Sequence, residues 1–132
     1  MPRVTRPLKL REGLPWGGVL IRSKRGFHKW FEFVLDTGTA HTVLHARTAR
    51  ALGLTEADRL GEAHFDSIGH SEPGDTVRLP SFVAFGRDLQ DYLVGVVPFQ
   101  SRIDVPGILG LDFFEQTDLL LSFRRGEAVL EW

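Results

Sequence analysis

The stretch "FVLDTGTAHTVL", residues 33–44, sets one carboxylate, Asp36, between an apolar run and a string of small, turn-forming residues. Charged side chains avoid apolar surroundings unless something pairs with them or needs them there. Asp36 is therefore the group to account for. The strand before it delivers a carboxylate to a turn, and Gly38 has no Cβ to hold the backbone at a distance. The hydroxyls of Thr37 and Thr39 can tie that turn by hydrogen bonds. Three residues recur by chance, however, and Asp is common as a turn cap at strand ends. The triplet needs a second signal.

That signal comes about 70 residues later, in "GILGLDFF" at 107–114. The two stretches together resemble the pepsin-like aspartic proteases, in particular the retropepsin-like branch with one Asp-Thr-Gly per chain. In that family an apolar pair leads into Asp-Thr/Ser-Gly, and Thr and an aliphatic residue follow. Here Val34 and Leu35 precede Asp36, Thr37 and Gly38, and Thr42 and Val43 follow at the family spacing. Ile108, Leu109 and Gly110 match the second element, whose loop supports the active-site turn from behind. The resemblance spans roughly residues 15–132. It implies that Asp36 is catalytic and that Thr37, Gly38 and Thr39 form its turn. It also implies two carboxylates about one hydrogen bond apart, the ionised one acting as general base on a water and the protonated one polarising a peptide carbonyl. With one Asp-Thr-Gly in the chain, the second carboxylate has to come from a second chain, so the resemblance implies a homodimer with its site on the two-fold axis. The expected partner of Asp36 is another Asp36.

Two departures stand out. Thr39 replaces the usual Ala, a small change. Retroviral enzymes carry an acid two positions after the Gly, paired with an Arg just after the second motif. This chain has Ala40 and Leu111 there, so both halves of that ion pair are missing together and no orphan charge remains. Their loss points away from retroviral enzymes and toward cellular, bacterial relatives. The segment 63–79 resembles the family's flap, which closes over bound peptide. Ser67, Ile68 and Gly69 are its expected tip and substrate contacts, and His70 and Ser71 could add polar ones.

Other residues have plainer readings. Asp112 is expected to cap the short helix after Gly110 rather than to act as a second catalytic acid. His41 and His45 stand four apart, but no acid or third His stands at ligand spacing, so no metal is expected. Trp16, Trp30 and Trp132 are expected in the core or an interface. Gly13, Gly17 and Gly18 form no phosphate loop, since no helix follows them.

The elements that must position these residues read mainly as short strands punctuated by Gly and Pro. Strands are expected at 4–10, 17–24 and 27–36, the last with Phe31, Phe33 and Leu35 on one face and Trp30, Glu32 and Val34 on the other. A helix is expected over 45–54 with Gly53 at its C-terminal cap. Two strands around a turn-rich tip follow at 63–79, broken by Gly69, Pro73 and Gly74. Further strands are expected at 81–86 and 92–99, a buried loop and helical turn at 106–117, and a closing hairpin of "DLLLSF" and "EAVLEW". The last strand, at the chain end, is expected to seek a sheet edge in or beside the dimer interface. The fold class is mainly β, a closed barrel-like retropepsin domain spanning 1–132.

Composition sets outer bounds. A chain of 132 residues can bury roughly two-thirds of its unfolded surface as one domain. Its net charge of -1, with 16 basic and 17 acidic residues, argues against nucleic acid as a partner. It has no cysteine, hence no disulfide or thiolate metal site. No apolar run nears the ~18 residues of a membrane span, and no apolar leader opens the chain, so the cytoplasm is the expected compartment. Two functions fit: an endopeptidase acting as a homodimer on polypeptide without a cofactor, or a non-catalytic dimeric module that binds peptide in the same groove. The intact triplet favours the enzyme, because a binding module has no need of paired buried acids.

Overall fold

The structure, a computed structural model, describes residues 1–67 and 69–132, with the side chain of Ser67 left out. The expected tip residue Ile68 therefore lies outside the described residues.

The chain runs through β1 (Arg3–Pro7), β2 (Lys9–Arg11), β3 (Leu14–Arg22) and β4 (His28–Leu35). β5 (Val43–His45) leads directly into α1 (Ala46–Ala51), and a 3₁₀ turn follows at Glu56–Asp58. Then come β6 (Gly61–Ser67), β7 (His70–Ala84) and β8 (Arg87–Val97). β9 (Gly107–Leu109), α2 (Leu111–Phe114), β10 (Asp118–Ser122) and β11 (Glu127–Glu131) complete it. No helix among the described residues is long and apolar enough to cross a membrane.

Eight strands pair in the order β2-β3-β4-β9-β5-β8-β7-β6, and β3 pairs with β7 as well. That extra pairing closes β3, β4, β9, β5, β8 and β7 into a ring, in which each strand has a neighbour on both sides over part of its length. Inside it, Phe33, Leu35, Phe82, Leu109 and Phe113 form the largest apolar cluster. The alternation along β4 is the one expected: Phe31, Phe33 and Leu35 face this cluster, while Val34 packs with Trp16 and Val105 in a second one. Trp132 also packs against the main cluster. Trp30 does not belong to the core. It is 70% exposed and lies over Gly18, where a Cβ would meet its ring at 2.6 Å.

Three features of the strands differ from expectation for identifiable reasons. The first strand breaks at buried Leu8, because β1 joins a separate three-stranded sheet while β2 joins the barrel. β7 runs unbroken through Pro73 and Gly74 as far as Ala84, merging the second hairpin strand with the expected strand at 81–86. Pro73 lies where β7 is flanked by β6 alone, a position at which a strand proline is tolerated. The third difference is at the chain end. β11 is no edge strand but the centre of a sheet in the order β1-β11-β10, with Val129 paired to Thr5 on one side and Leu120 on the other.

The helix is shorter than expected, ending at Ala51, although Gly53 does take the left-handed φ of +74° that follows a helix end. His45 caps its start: Nδ1 accepts from the Arg47 backbone N–H at 3.0 Å.

Candidate active site

β4 ends at Leu35, and β9 runs parallel beside it with Leu35 opposite Leu109. The next backbone N–H, that of Asp36, donates to the Leu109 carbonyl at 3.0 Å. The turn then closes on itself, with the Thr39 N–H bonded to the Asp36 carbonyl at 3.1 Å. Each carboxylate oxygen of Asp36 accepts one bond from that turn: Oδ1 from the Gly38 N–H at 2.9 Å, Oδ2 from the Thr39 hydroxyl at 2.8 Å. A carboxylate offers about four acceptor positions. Two are used in holding it still, which leaves capacity for a water or a second acid. Asp36 is half-buried, Thr39 is buried, and Thr37 and Gly38 are exposed. The group is thus anchored from below and open at one face.

Ile108, Leu109 and Gly110 lie directly behind this turn. Gly110 has the closest approach: a Cβ there would sit 2.5 Å from the His41 carbonyl carbon and 2.8 Å from the Thr39 oxygen. Its N–H donates to the Thr42 hydroxyl at 3.1 Å. Leu111 N–H donates to the Thr39 carbonyl at 2.8 Å, and Asp112 N–H to the Ala40 carbonyl at 3.2 Å. The positions that carry an ion pair in retroviral enzymes, here Ala40 and Leu111, are therefore neighbours, and both are exposed.

Asp112 differs from its expected role. It does not cap α2, whose start at Gly110 has no side-chain cap. Instead Oδ1 accepts from both the backbone N–H of Thr42, at 2.9 Å, and the Thr42 hydroxyl, at 2.8 Å. The fully buried Thr42 hydroxyl also accepts from Tyr92 Oη at 3.1 Å. One donor and two acceptor positions are thereby all filled. Burial pushes the Tyr92 phenol up from its ordinary value, and the neighbouring Asp112 charge adds to that shift. Tyr92 was not singled out in the sequence. The only signal would have been its period-2 position along β8, which does not identify a partner.

His41 and His45 do not act together. His45 uses both ring nitrogens on protein atoms, Nδ1 on Arg47 and Nε2 on the Phe99 carbonyl at 2.9 Å, while exposed His41 stands edge-on to Phe65.

The β6–β7 hairpin reaches the turn from the other side. Its strands meet at the pair Ser67 and His70, Gly69 takes a φ of +74°, and the Ala40 N–H contacts the Asp66 carbonyl at 3.5 Å. Between this hairpin, the Val97–Gln100 segment and Thr39 lies a groove of about 440 Å³.

The family model described as aspartyl protease matches residues 26–113. A retropepsin-like aspartic protease from Rickettsia conorii superposes with a TM-score of 0.69 at 15% identity, covering 98% of this chain and 89% of that one. The retroviral protease-like domain of Ddi1 from Leishmania major gives a TM-score of 0.47 at 16% identity, covering 84% and 81%. A search of curated proteins returns no match. With two-thirds of its length inside the family match and a barrel that superposes on a retropepsin-like enzyme, the chain belongs to the aspartyl protease family and has the retropepsin-like fold.

Proposed function

We propose that this protein is an aspartic endopeptidase whose site forms when two copies bring their Asp36 carboxylates together. The observation that carries this reading is the state of Asp36. Both oxygens are fixed by its own turn, two acceptor positions stay open, and Thr39 of the same turn lines a groove of about 440 Å³. One carboxylate cannot act as base and acid at the same moment, and the chain carries a single Asp-Thr-Gly. In the dimer, one ionised Asp36 takes a proton from water as that water attacks the peptide carbonyl. The other, protonated, donates a hydrogen bond to the carbonyl oxygen, then gives its proton to the leaving nitrogen as the tetrahedral species collapses and the C–N bond breaks. Thr37, Gly38 and Thr39 keep the carboxylates in place, Ile108, Leu109 and Gly110 brace them, and the β6–β7 hairpin covers the substrate.

The test is cleavage of an unfolded polypeptide between pH 4 and 7 by wild type and by Asp36→Asn, with a statine-type mimic as inhibitor. Wild type should cleave and be inhibited. The Asn variant should lose at least about 10²-fold in turnover, the lower end of what a general acid or base contributes. A folded wild-type dimer that cleaves nothing would shift the reading to a peptide-binding module.

A further inference from the structure

The groove beside Thr39 has a floor and a wall of different chemistry. Val43, Phe65, Val97, Phe99 and Ile108 give it an apolar floor. The Phe65 ring packs against Gly95, where a Cβ would collide with it. The wall is β7. In the hairpin register Glu72 stands opposite Phe65, so the pleat sends both to the same face, and His70, two residues before Glu72, shares it. Asp66 alternates to the other face of its strand, yet it too contributes to the groove's lining.

Of the two acids that line the groove, Asp66 and Glu72, Glu72 is the one on the face of Phe65, and its side chain is only 25% exposed. Its partner is His70, whose Nε2 lies 3.1 Å from Oε2. That contact joins opposite charges only when the imidazole is protonated. No lysine or arginine lines the groove among the described residues. A half-buried carboxylate above an apolar floor, with only an exposed imidazole beside it, suits a ligand that supplies both an alkyl stem and a cation. Lys and Arg side chains have that construction.

Resting on the proposed peptidase reading, we infer that the groove is a specificity pocket for a lysine or arginine of the substrate, with Glu72 as the residue that selects it. The stem lies along Phe65 and Val97, and the cation meets the Glu72 carboxylate in a charge-assisted hydrogen bond. His70 competes for the same oxygen, so it weakens the preference.

The experiment uses uncleavable reduced-amide octapeptides in which one residue, walked through each position, is either lysine or norleucine. Norleucine keeps the stem and removes the charge. Binding is measured by calorimetry to wild type, Glu72→Gln and His70→Ala. At the position that enters the groove, wild type should favour lysine by about tenfold, the scale of one charge-assisted bond. Glu72→Gln should bring that ratio near one while leaving norleucine binding unchanged. His70→Ala should raise the ratio above wild type. A wild-type ratio near one at every position, equal loss of both peptides in Glu72→Gln, or no binding of either peptide would each overturn the inference. If the lysine preference is found but wild type fails to cleave the parent peptide, the pocket stands and the peptidase reading falls.

Discussion

The turn around Asp36 was legible in the sequence because its bonds are local. The carboxylate's two hydrogen-bond donors come from Gly38 and Thr39, two and three residues away, so the turn that holds it is written in one short stretch. Thr39 adds a hydroxyl donor that the expected Ala would lack. Asp112 was not legible, because its partner Thr42 is 70 residues distant and no local pattern encodes that meeting. A cap was a reasonable expectation for an acid in the first turn of a helix. The side chain instead satisfies the loop that follows the active-site turn. Its removal should therefore cost more than a cap. Asp112→Ala leaves the buried Thr42 N–H and hydroxyl without their acceptor and should lower unfolding free energy by about 2–3 kcal/mol, whereas Asp112→Asn keeps a carbonyl oxygen there and should lose about half as much. Urea unfolding measures both. An Asp112→Ala midpoint equal to wild type would mean that the Thr42 contacts do not brace the loop.

Secondary structure followed the sequence wherever one neighbour decides the outcome. The apolar faces of β4 and the closing hairpin of β10 and β11 come from alternation and turn chemistry that any reader of the chain can see. What could not be read was the long-range pairing. Nothing local says that β9 inserts between β4 and β5, that β7 continues past Pro73, or that β1 returns to cover the last strand. The last of these changes the role of the C-terminus. An unpaired terminal strand would be free to join a partner's sheet, but β11 already has both flanks hydrogen-bonded within its own chain, and Ala128, Val129 and Leu130 are buried. Deleting residues 127–132 removes the middle of a sheet and leaves β1 and β10 without partners. The truncated chain should be largely unfolded by far-UV circular dichroism and by protease sensitivity, rather than a folded monomer. A truncated protein with a native spectrum and a cooperative melt would contradict the central place of β11.

At the scale of the whole molecule, the barrel builds half of what the proposed chemistry needs. One chain supplies one immobilised carboxylate with an open face, and next to it the exposed Ala40 and Leu111 in place of an ion pair. An exposed leucine beside the turn gives a second copy something apolar to cover, without any charge to be matched. If both Asp36 carboxylates are required, they are required together, and a mixed dimer separates this from two independent half-sites. Wild-type and Asp36→Asn chains with different affinity tags can be co-expressed, and the doubly tagged species purified and assayed before chains exchange. Independent sites would leave the mixed dimer about half as active as wild type. A shared site leaves one carboxylate facing an amide, which can orient a carbonyl but cannot return a proton to the leaving nitrogen. Its rate should fall about 10²-fold or more below wild type. Dilution provides the companion measurement, because specific activity of the wild type should fall once the concentration drops below the dimer dissociation constant, in step with the monomer fraction seen by sedimentation. A mixed dimer with half the wild-type rate, or a monomer with full specific activity, would remove the two-chain site and return the search for a second acid to the chain itself.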